Sequence, residues 1–119
     1  MTYHVRWKNA RRHKFNAVSK RYGGRTYHSK REAEHAMELD WMKKAGEIRE
    51  WHPQHKVQLK VNGHHICNYY PDFLVILPDG SRQIHEIKGV ITEVFRLKWK
   101  LFEALLDEID PGAELFVIK

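Results

Sequence analysis

The segment between Tyr69 and Lys88 constrains the fold most, because it has the pattern of two β-strands joined by a tight turn. The turn is Pro78-Asp79-Gly80-Ser81, a combination of residues that reverses the chain sharply. Tyr69–Leu77 is predicted to enter this turn as one strand, and Gln83–Lys88 to leave it as the next. Both strands of such a hairpin must be covered by other layers of the structure.

A helix is predicted before this hairpin, from about Lys30 to Ala45. Ser29 is its expected N-cap, with Glu32 three positions later in the spacing of a capping box. Gly46 is the expected C-terminal stop.

A second helix is predicted after the hairpin, from Thr92 as its cap to about Ile109. Apolar residues recur in it at three- and four-residue steps, which marks a face that packs on the core. Pro111-Gly112 ends it, and Glu114–Ile118 is expected to be a final buried strand.

More strands are predicted between the first helix and the turn. Ile48–Trp51 is short, Lys56–Val61 alternates apolar and polar residues, and Asn62-Gly63 is a strong hairpin signal. The next strand is expected to begin near His64 and to continue, through a bend, into Tyr69–Leu77. The resulting order predicts an α+β sandwich with a mixed central sheet, and with helices on one or both faces.

The hairpin brings charged side chains together. Because strand residues alternate between faces, Glu86 and Lys88 share one face. A register that pairs Asp72 with Glu86 would put their Cβ atoms roughly 4.5–5.5 Å apart. That register needs a turn of odd length or a bulge, which Gly80 can supply.

Two carboxylates this close repel each other unless a cation lies between them, and oxygen ligands favour Mg²⁺, with Mn²⁺ as a substitute. Asp72 and Glu86 are therefore candidate metal ligands, together with the backbone carbonyl of Ile87. Lys88 is a candidate catalytic residue that steadies an attacking water or the developing charge. Glu32 would complete the acidic set if its helix end faces the hairpin, and Gln54 is a weaker candidate.

Each of these residues also has a structural interpretation. Glu32 is equally well explained as the capping partner of Ser29. The less favoured alternative for Asp72 is a turn or strand-edge residue. Glu86 and Lys88 alone would fit an exposed cross-strand charge pair.

Charge is distributed unevenly along the chain. Residues 1–31 contain ten Lys or Arg and no acid, whereas all fifteen acids lie from Glu32 onward, in a chain of net charge +6. A basic arm of this kind indicates a polyanionic partner, and its aromatic residues would either stack on bases or anchor the arm to the core. Residues 1–21 are expected to be partly disordered without that partner. The candidate nucleic-acid contacts are Arg6, Lys8, Arg11, Arg12, Lys14, Lys20, Arg21, Arg25, Lys30 and, on the second helix, Lys98.

Length and composition exclude several classes of protein. The 119 residues suit one domain, and no apolar run is long enough to span a membrane, so we expect a cytoplasmic protein. A single cysteine, Cys67, forms no internal disulfide and no thiolate zinc cage. No small-molecule cofactor is indicated.

At Pro71-Asp72 and Glu86-Ile87-Lys88 the sequence resembles the PD-(D/E)xK nuclease superfamily, which has the restriction-endonuclease-like fold. The αβββαβ order over about residues 29–118 agrees with the core of that superfamily. More narrowly, the chain resembles a small phage and prophage family assigned to it. The segments that carry this likeness are Tyr27–Glu34, Ala45–Ile48, Gln54, and Lys88-Gly89 followed by Thr92 and Leu97-Lys98.

The resemblance implies a magnesium-dependent endonuclease that hydrolyses DNA phosphodiester bonds, with metal ligation by Asp72 and Glu86 and support from Lys88 and Glu32. Residues 1–28 would be a basic arm, and residues 29–119 the nuclease-like domain. Branched or structured phage DNA is an expected substrate, in the cytoplasm of a bacterial host, and a homodimer would allow both strands to be cut. A catalytically inactive DNA-binding or partner-recruiting protein on the same fold is the alternative, and RNA as substrate stays open.

Overall fold

A computed structural model describes Tyr3–His4 and residues 20–119 of the chain. Its elements, in chain order, are β1 (Tyr3–His4), β2 (Arg21–Tyr22), β3 (Arg25–Thr26), α1 (Lys30–Lys44), β4 (Glu50–Pro53), β5 (Val57–Val61), β6 (His64–Tyr69), β7 (Phe73–Ile76), β8 (Arg82–Ile87), α2 (Glu93–Ile109) and β9 (Glu114–Ile118).

Five strands form one mixed sheet in the order β1-β9-β8-β7-β4. The pairs β4–β7 and β7–β8 are antiparallel, whereas β8–β9 and β1–β9 are parallel. The return from β8 to a parallel β9 requires a crossover, and α2 supplies it. The predicted α+β class with a mixed sheet is confirmed.

The β7–β8 hairpin has the odd-length turn that the candidate site required. Phe73 pairs with His85, and Ile76 with Arg82. The backbone N–H of Leu77 then donates to Ser81 at 2.9 Å, which leaves three residues in the loop. Gly80, at φ 89°, takes the left-handed conformation that closes such a loop. One step beyond Phe73, the same register sets Asp72 opposite Glu86.

Strands β5 and β6 pair only with each other and form a separate two-stranded sheet, called the β5–β6 ribbon below. Asn62 and Gly63 both have positive φ, as in a type I′ turn, so the predicted hairpin is confirmed. The strand predicted to run from His64 through a bend into Tyr69–Leu77 is instead two strands that belong to different sheets. The strand ends at Tyr69, and the chain enters the central sheet only at Phe73, because Pro71 has no N–H to donate to a ladder.

Both helices begin at the predicted caps. Ser29 Oγ accepts from the backbone N–H of Glu32 at 3.1 Å, and Thr92 Oγ1 accepts from that of Phe95 at 3.1 Å. Gly46 follows α1 at φ 79°, which fits its predicted role as a stop.

The two helices cover opposite faces of the central sheet. Side chains of α2 share one apolar cluster with the ribbon and with Leu74 and Ile84. Side chains of α1 share a second cluster with Phe73 and Val75, which alternate with Leu74 along β7. Of the two arrangements left open by the sequence, the molecule therefore has a helix layer on each side of the sheet.

The described part of the basic arm packs against α1. Tyr27 is buried in the α1 cluster, and the hydroxyl of Tyr22 donates to Asp40 at 2.6 Å. These two aromatic residues therefore anchor the chain to the core. The rest of the arm, including the expectation of partial disorder, lies outside the described residues, apart from β1. Within the described residues, neither helix is long and apolar enough to cross a membrane.

Candidate functional site

Asp72 lies where the link from the ribbon meets the central sheet, and it is 7% exposed. Its Oδ2 accepts a hydrogen bond from the backbone N–H of Ile87 at 2.8 Å, which ties it to the end of β8. Its own carbonyl accepts from the N–H of Gln54 at 2.9 Å. Gln54 has φ 53°, an uncommon conformation for a non-glycine residue and one that recurs at functional sites.

Glu86 is 3% exposed, near the end of β8. The hydroxyl of Tyr69 donates to its Oε1, and Lys88 Nζ lies 3.7 Å from its Oε2. The same Lys88 ammonium sits 4.8 Å from the centre of the Phe95 ring, and its side chain is 31% exposed. Lys88 therefore contacts the buried carboxylate and also reaches solvent.

Glu32, from the first turn of α1, is also buried. Its Oε2 accepts from Ser29 Oγ at 3.3 Å, so it does take part in the cap. Its Oε1 is buried, has no hydrogen-bond partner among the described residues and lies 4.0 Å from Nδ1 of His28. A buried carboxylate oxygen without a partner is costly, and capping alone does not account for it.

The three carboxyl groups interact through Asp72. Burial, followed by the negative charge of Asp72, raises the pKa of Glu86 to about 9 and that of Glu32 to about 7. Burial and the charge of Glu86 also raise the pKa of the Tyr69 phenol, so that it stays a hydrogen-bond donor. The three acidic residues that the sequence pattern predicts as a site, Glu32, Asp72 and Glu86, thus meet at one end of the sheet.

The chemistry of these donors fits a hard divalent cation. Asp72, Glu86 and Glu32 bring three carboxylates into an environment with one contacting lysine, and one oxygen is without a partner. In the part of the chain that the structure describes, however, no group of three or more His, Cys, Asp or Glu is already arranged to hold a metal ion. Oδ2 of Asp72 and both carboxyl oxygens of Glu86 face protein donors, so loading would require deprotonation of Glu86 and a change of partners.

The predicted nucleic-acid contacts divide into three groups. Lys20, Arg21, Arg25 and Lys30 are exposed. Lys98 is half-buried, and its Nζ donates to the carbonyl of Asn68 on the ribbon at 3.3 Å. The predicted contacts at Arg6, Lys8, Arg11, Arg12 and Lys14 lie outside the described residues.

Sequence reasoning missed Tyr69, which contacts Glu86, and Arg31, which lies near Gly89 just after β8. Tyr69 hydrogen-bonds Glu86, and its only signal in the sequence was its position three residues before Asp72. The guanidinium of Arg31 is 3.6 Å from where a Cβ on Gly89 would lie, next to Lys88. Arg31 had been counted only as part of the arm's charge.

A buried polar chain also connects α1 to β8. Nε2 of His35 lies 2.8 Å from Nδ1 of His85, whose Nε2 lies 3.0 Å from Oε1 of Gln83. Burial lowers the pKa of His35 to about 3 and lowers that of His85 as well, so both rings are neutral. His35 lies one turn after Glu32, and His85 precedes Glu86. This contact therefore holds the two acid-bearing elements together.

Fold and site together define a mixed α+β sandwich with a cluster of buried carboxyl groups at one end of its central sheet. Residues 12–112 match the family model described as "Protein of unknown function (DUF1064)". Since this match covers well over half of the chain, the protein belongs to that family. Searches of curated proteins and of solved structures each gave no match.

Proposed function

We propose that this protein is a magnesium-dependent endodeoxyribonuclease of the PD-(D/E)xK type. The observation that carries the proposal is the meeting of Glu32, Asp72 and Glu86, all nearly buried, beside one contacting lysine among the described residues. Structural ion pairs do not need this excess of carboxyl groups over cations, whereas a divalent-cation site does. Raised pKa values of this kind are concentrated at functional sites.

The order of elements supports the same proposal. From α1 onward, and with the separate ribbon set aside, the chain follows α1, β4, β7, β8, α2 and β9, which is the αβββαβ order of that superfamily. Asp72 directly precedes β7, and Glu86-Ile87-Lys88 closes the adjacent strand β8. The short sequence motif is therefore joined in space by strand pairing.

Asp72 and Glu86, with the carbonyl of Ile87 and with Glu32, would hold the cation. Once bound, Mg²⁺ would polarise the scissile phosphate and acidify water. Lys88 contacts Glu86 and its side chain is 31% exposed, so its ammonium can orient a water or offset charge that develops on the phosphate. Tyr69 orients the Glu86 carboxylate through its hydroxyl.

DNA is the proposed substrate, and the basic arm is the proposed source of phosphate contacts. Lys20, Arg21, Arg25 and Lys30 are exposed, and Arg31 adds a cation next to Gly89. Binding through such contacts weakens steeply with salt, because each neutralised phosphate releases counterions.

The experiment is a cleavage assay on supercoiled plasmid, linear duplex, four-way-junction DNA and structured RNA, with Mg²⁺, Mn²⁺ or EDTA. Asp72→Asn, Glu86→Gln and Lys88→Ala should each reduce cleavage by at least about 100-fold, which is typical for loss of a group that stabilises the transition state. Glu108→Gln is the matched control, because Glu108 is an exposed carboxylate far along α2.

Substrate and products separate the remaining alternatives. Nicked plasmid would indicate one active site per event, and linear product would support a homodimer. Faster cleavage of the structured RNA than of the DNA substrates would indicate a ribonuclease instead. Cleavage that survives Asp72→Asn and Glu86→Gln would refute the site. DNA binding with no cleavage in any metal would instead favour the non-catalytic binding protein.

A further inference from the structure

The β5–β6 ribbon lies outside the central sheet, and the cleavage chemistry proposed above uses only its last residue, Tyr69. From Trp51 to Pro71 the chain has no Asp or Glu, but it has two lysines and four histidines. This acid-free stretch lies within the part of the chain that carries all the acids. It is a second electropositive feature, separate from the arm.

The ribbon has one face for the core and one for solvent. Val57, Leu59 and Tyr69 are buried against α2. The residues that alternate with them form two outward cross-strand pairs, Gln58 with Asn68 and Lys60 with His65. Nε2 of His65 also lies 2.9 Å from Oδ1 of Asn68, which orders this polar face.

The end of the ribbon projects from the body of the protein. Leu59 is fully buried, but every residue from Lys60 to Ile66 is exposed, including the apolar Val61 at 37% and Ile66 at 55%. The two strand residues of β5 beyond Leu59, Lys60 and Val61, extend about 7 Å before the turn. With the turn added, this length is close to the depth of the major groove of DNA, about 8.5 Å, and a two-stranded ribbon fits its width of about 12 Å but not the narrower minor groove.

The other end of the ribbon lies at the candidate site. Tyr69, the last residue of β6, donates its hydroxyl to Glu86, and Lys98 of α2 donates to the carbonyl of Asn68. Four residue steps along β5 separate Val57, the partner of Tyr69, from Val61 at the turn, or about 13 Å along the ribbon. A duplex that contacts the ribbon end would therefore pass close to the carboxylates.

From this geometry we propose that the β5–β6 ribbon binds in the major groove of duplex nucleic acid, with its end a few base pairs from the bond to be cut. Lys56 and Lys60 contact phosphates or guanine edges, and the amides of Gln58 and Asn68 face the bases, since amides and lysines are the side chains that pair with base edges in this groove. The distance from the ribbon to the cleaved bond rests on the proposed nuclease function, whereas binding of the ribbon in the major groove does not depend on it.

The test uses the full chain and measures binding without cleavage. Fluorescence anisotropy would follow a labelled 20-base-pair duplex, and the matching single strand, in EDTA. Lys56→Ala/Lys60→Ala should weaken duplex binding about tenfold and reduce the salt slope by about 2, while changing single-strand binding less than about twofold. Lys43→Ala/Lys44→Ala is the control, because it removes two exposed lysines from the far end of α1.

Circular dichroism and urea midpoints would establish that both double variants are folded. Duplex affinity equal to that of the unmodified chain, or an equal loss in the control or on the single strand, would overturn the ribbon proposal. These outcomes differ from failure of the nuclease proposal. Cleavage with a dispensable ribbon would refute only the ribbon, and ribbon-dependent duplex binding by a protein that cuts nothing would refute only the nuclease.

Discussion

Replacing Glu86 with Gln should make the metal-free protein more stable at neutral pH while abolishing its metal response. Burial and Asp72 raise the pKa of this carboxyl from 4.5 to about 9. Since the folded pKa lies above the unfolded one, the folded state favours the protonated acid. Stability from this group is therefore complete below pH 4.5 and is lost as pH rises from 4.5 to 9.

The magnitude follows from the size of that shift. A pH of 7 lies about 2.5 units above the unfolded pKa. At about 1.4 kcal/mol per unit, the free energy of unfolding is therefore lowered by about 3 kcal/mol. At pH 5 the loss is under about 1 kcal/mol. Gln has nearly the same shape as Glu and keeps an oxygen for the Tyr69 hydroxyl, and Lys88 can turn to solvent. Glu86→Gln should therefore gain about 3 kcal/mol at pH 7 and little at pH 5.

Urea denaturation followed by tryptophan fluorescence at pH 5, 7 and 8.5 in EDTA would measure the difference, with Glu108→Gln as control. In thermal unfolding at pH 7, the same gain should appear as a rise in Tm of about 10 °C for a domain of this size. Mg²⁺ at ten times its Kd should stabilise the unmodified protein by about 1.4 kcal/mol and leave Glu86→Gln unchanged. A variant less stable than the parent at pH 7, or a difference that does not vary with pH, would refute the reasoning.

Three further predictions concern the same end of the molecule. Mg²⁺ affinity should rise between pH 7 and 9, because Glu32 and Glu86 must lose protons before they bind the ion. Calorimetry in two buffers of different ionisation enthalpy should detect this proton release. An Mg²⁺ affinity that does not change with pH would contradict the prediction. Tyr69→Phe removes a hydrogen bond that lowers the pKa of Glu86, so the pH profile of cleavage should move upward by about 1 unit. An unshifted profile would exclude an effect of the Tyr69 hydroxyl on the pKa of Glu86. Ser29→Ala should lower the free energy of unfolding by about 1 kcal/mol in urea titrations through loss of the α1 cap, and no loss would mean that the cap contributes nothing.

Local signals in the sequence predicted much of the secondary structure. Ser29 and Thr92 cap the helices, and Asn62-Gly63 forms the turn expected of it, because capping and tight turns depend on neighbouring residues. The odd turn at Gly80 was also foreseen, and with it the register that sets Asp72 opposite Glu86. Local chemistry and strand alternation were sufficient for these features.

The ribbon shows where such reasoning ended. Pro71 marks where the stretch from His64 to Leu77 is interrupted, but nothing local told which sheet each part would join. The change of sheet at Pro71 depends on α2, which offers an apolar surface to Val57, Leu59 and Tyr69. Burial against a distant helix is a long-range property, and local propensity does not encode it.

For the candidate site, the sequence by itself determined which residues are acidic or basic, and which of them share a strand face. Only the tertiary structure decided that Glu32 approaches Asp72 from another element, that Tyr69 bonds Glu86, and that Lys98 turns to the ribbon. The physical reason is that burial and mutual distance set the charge state of these groups. Both arise when α1, the ribbon and the central sheet pack together.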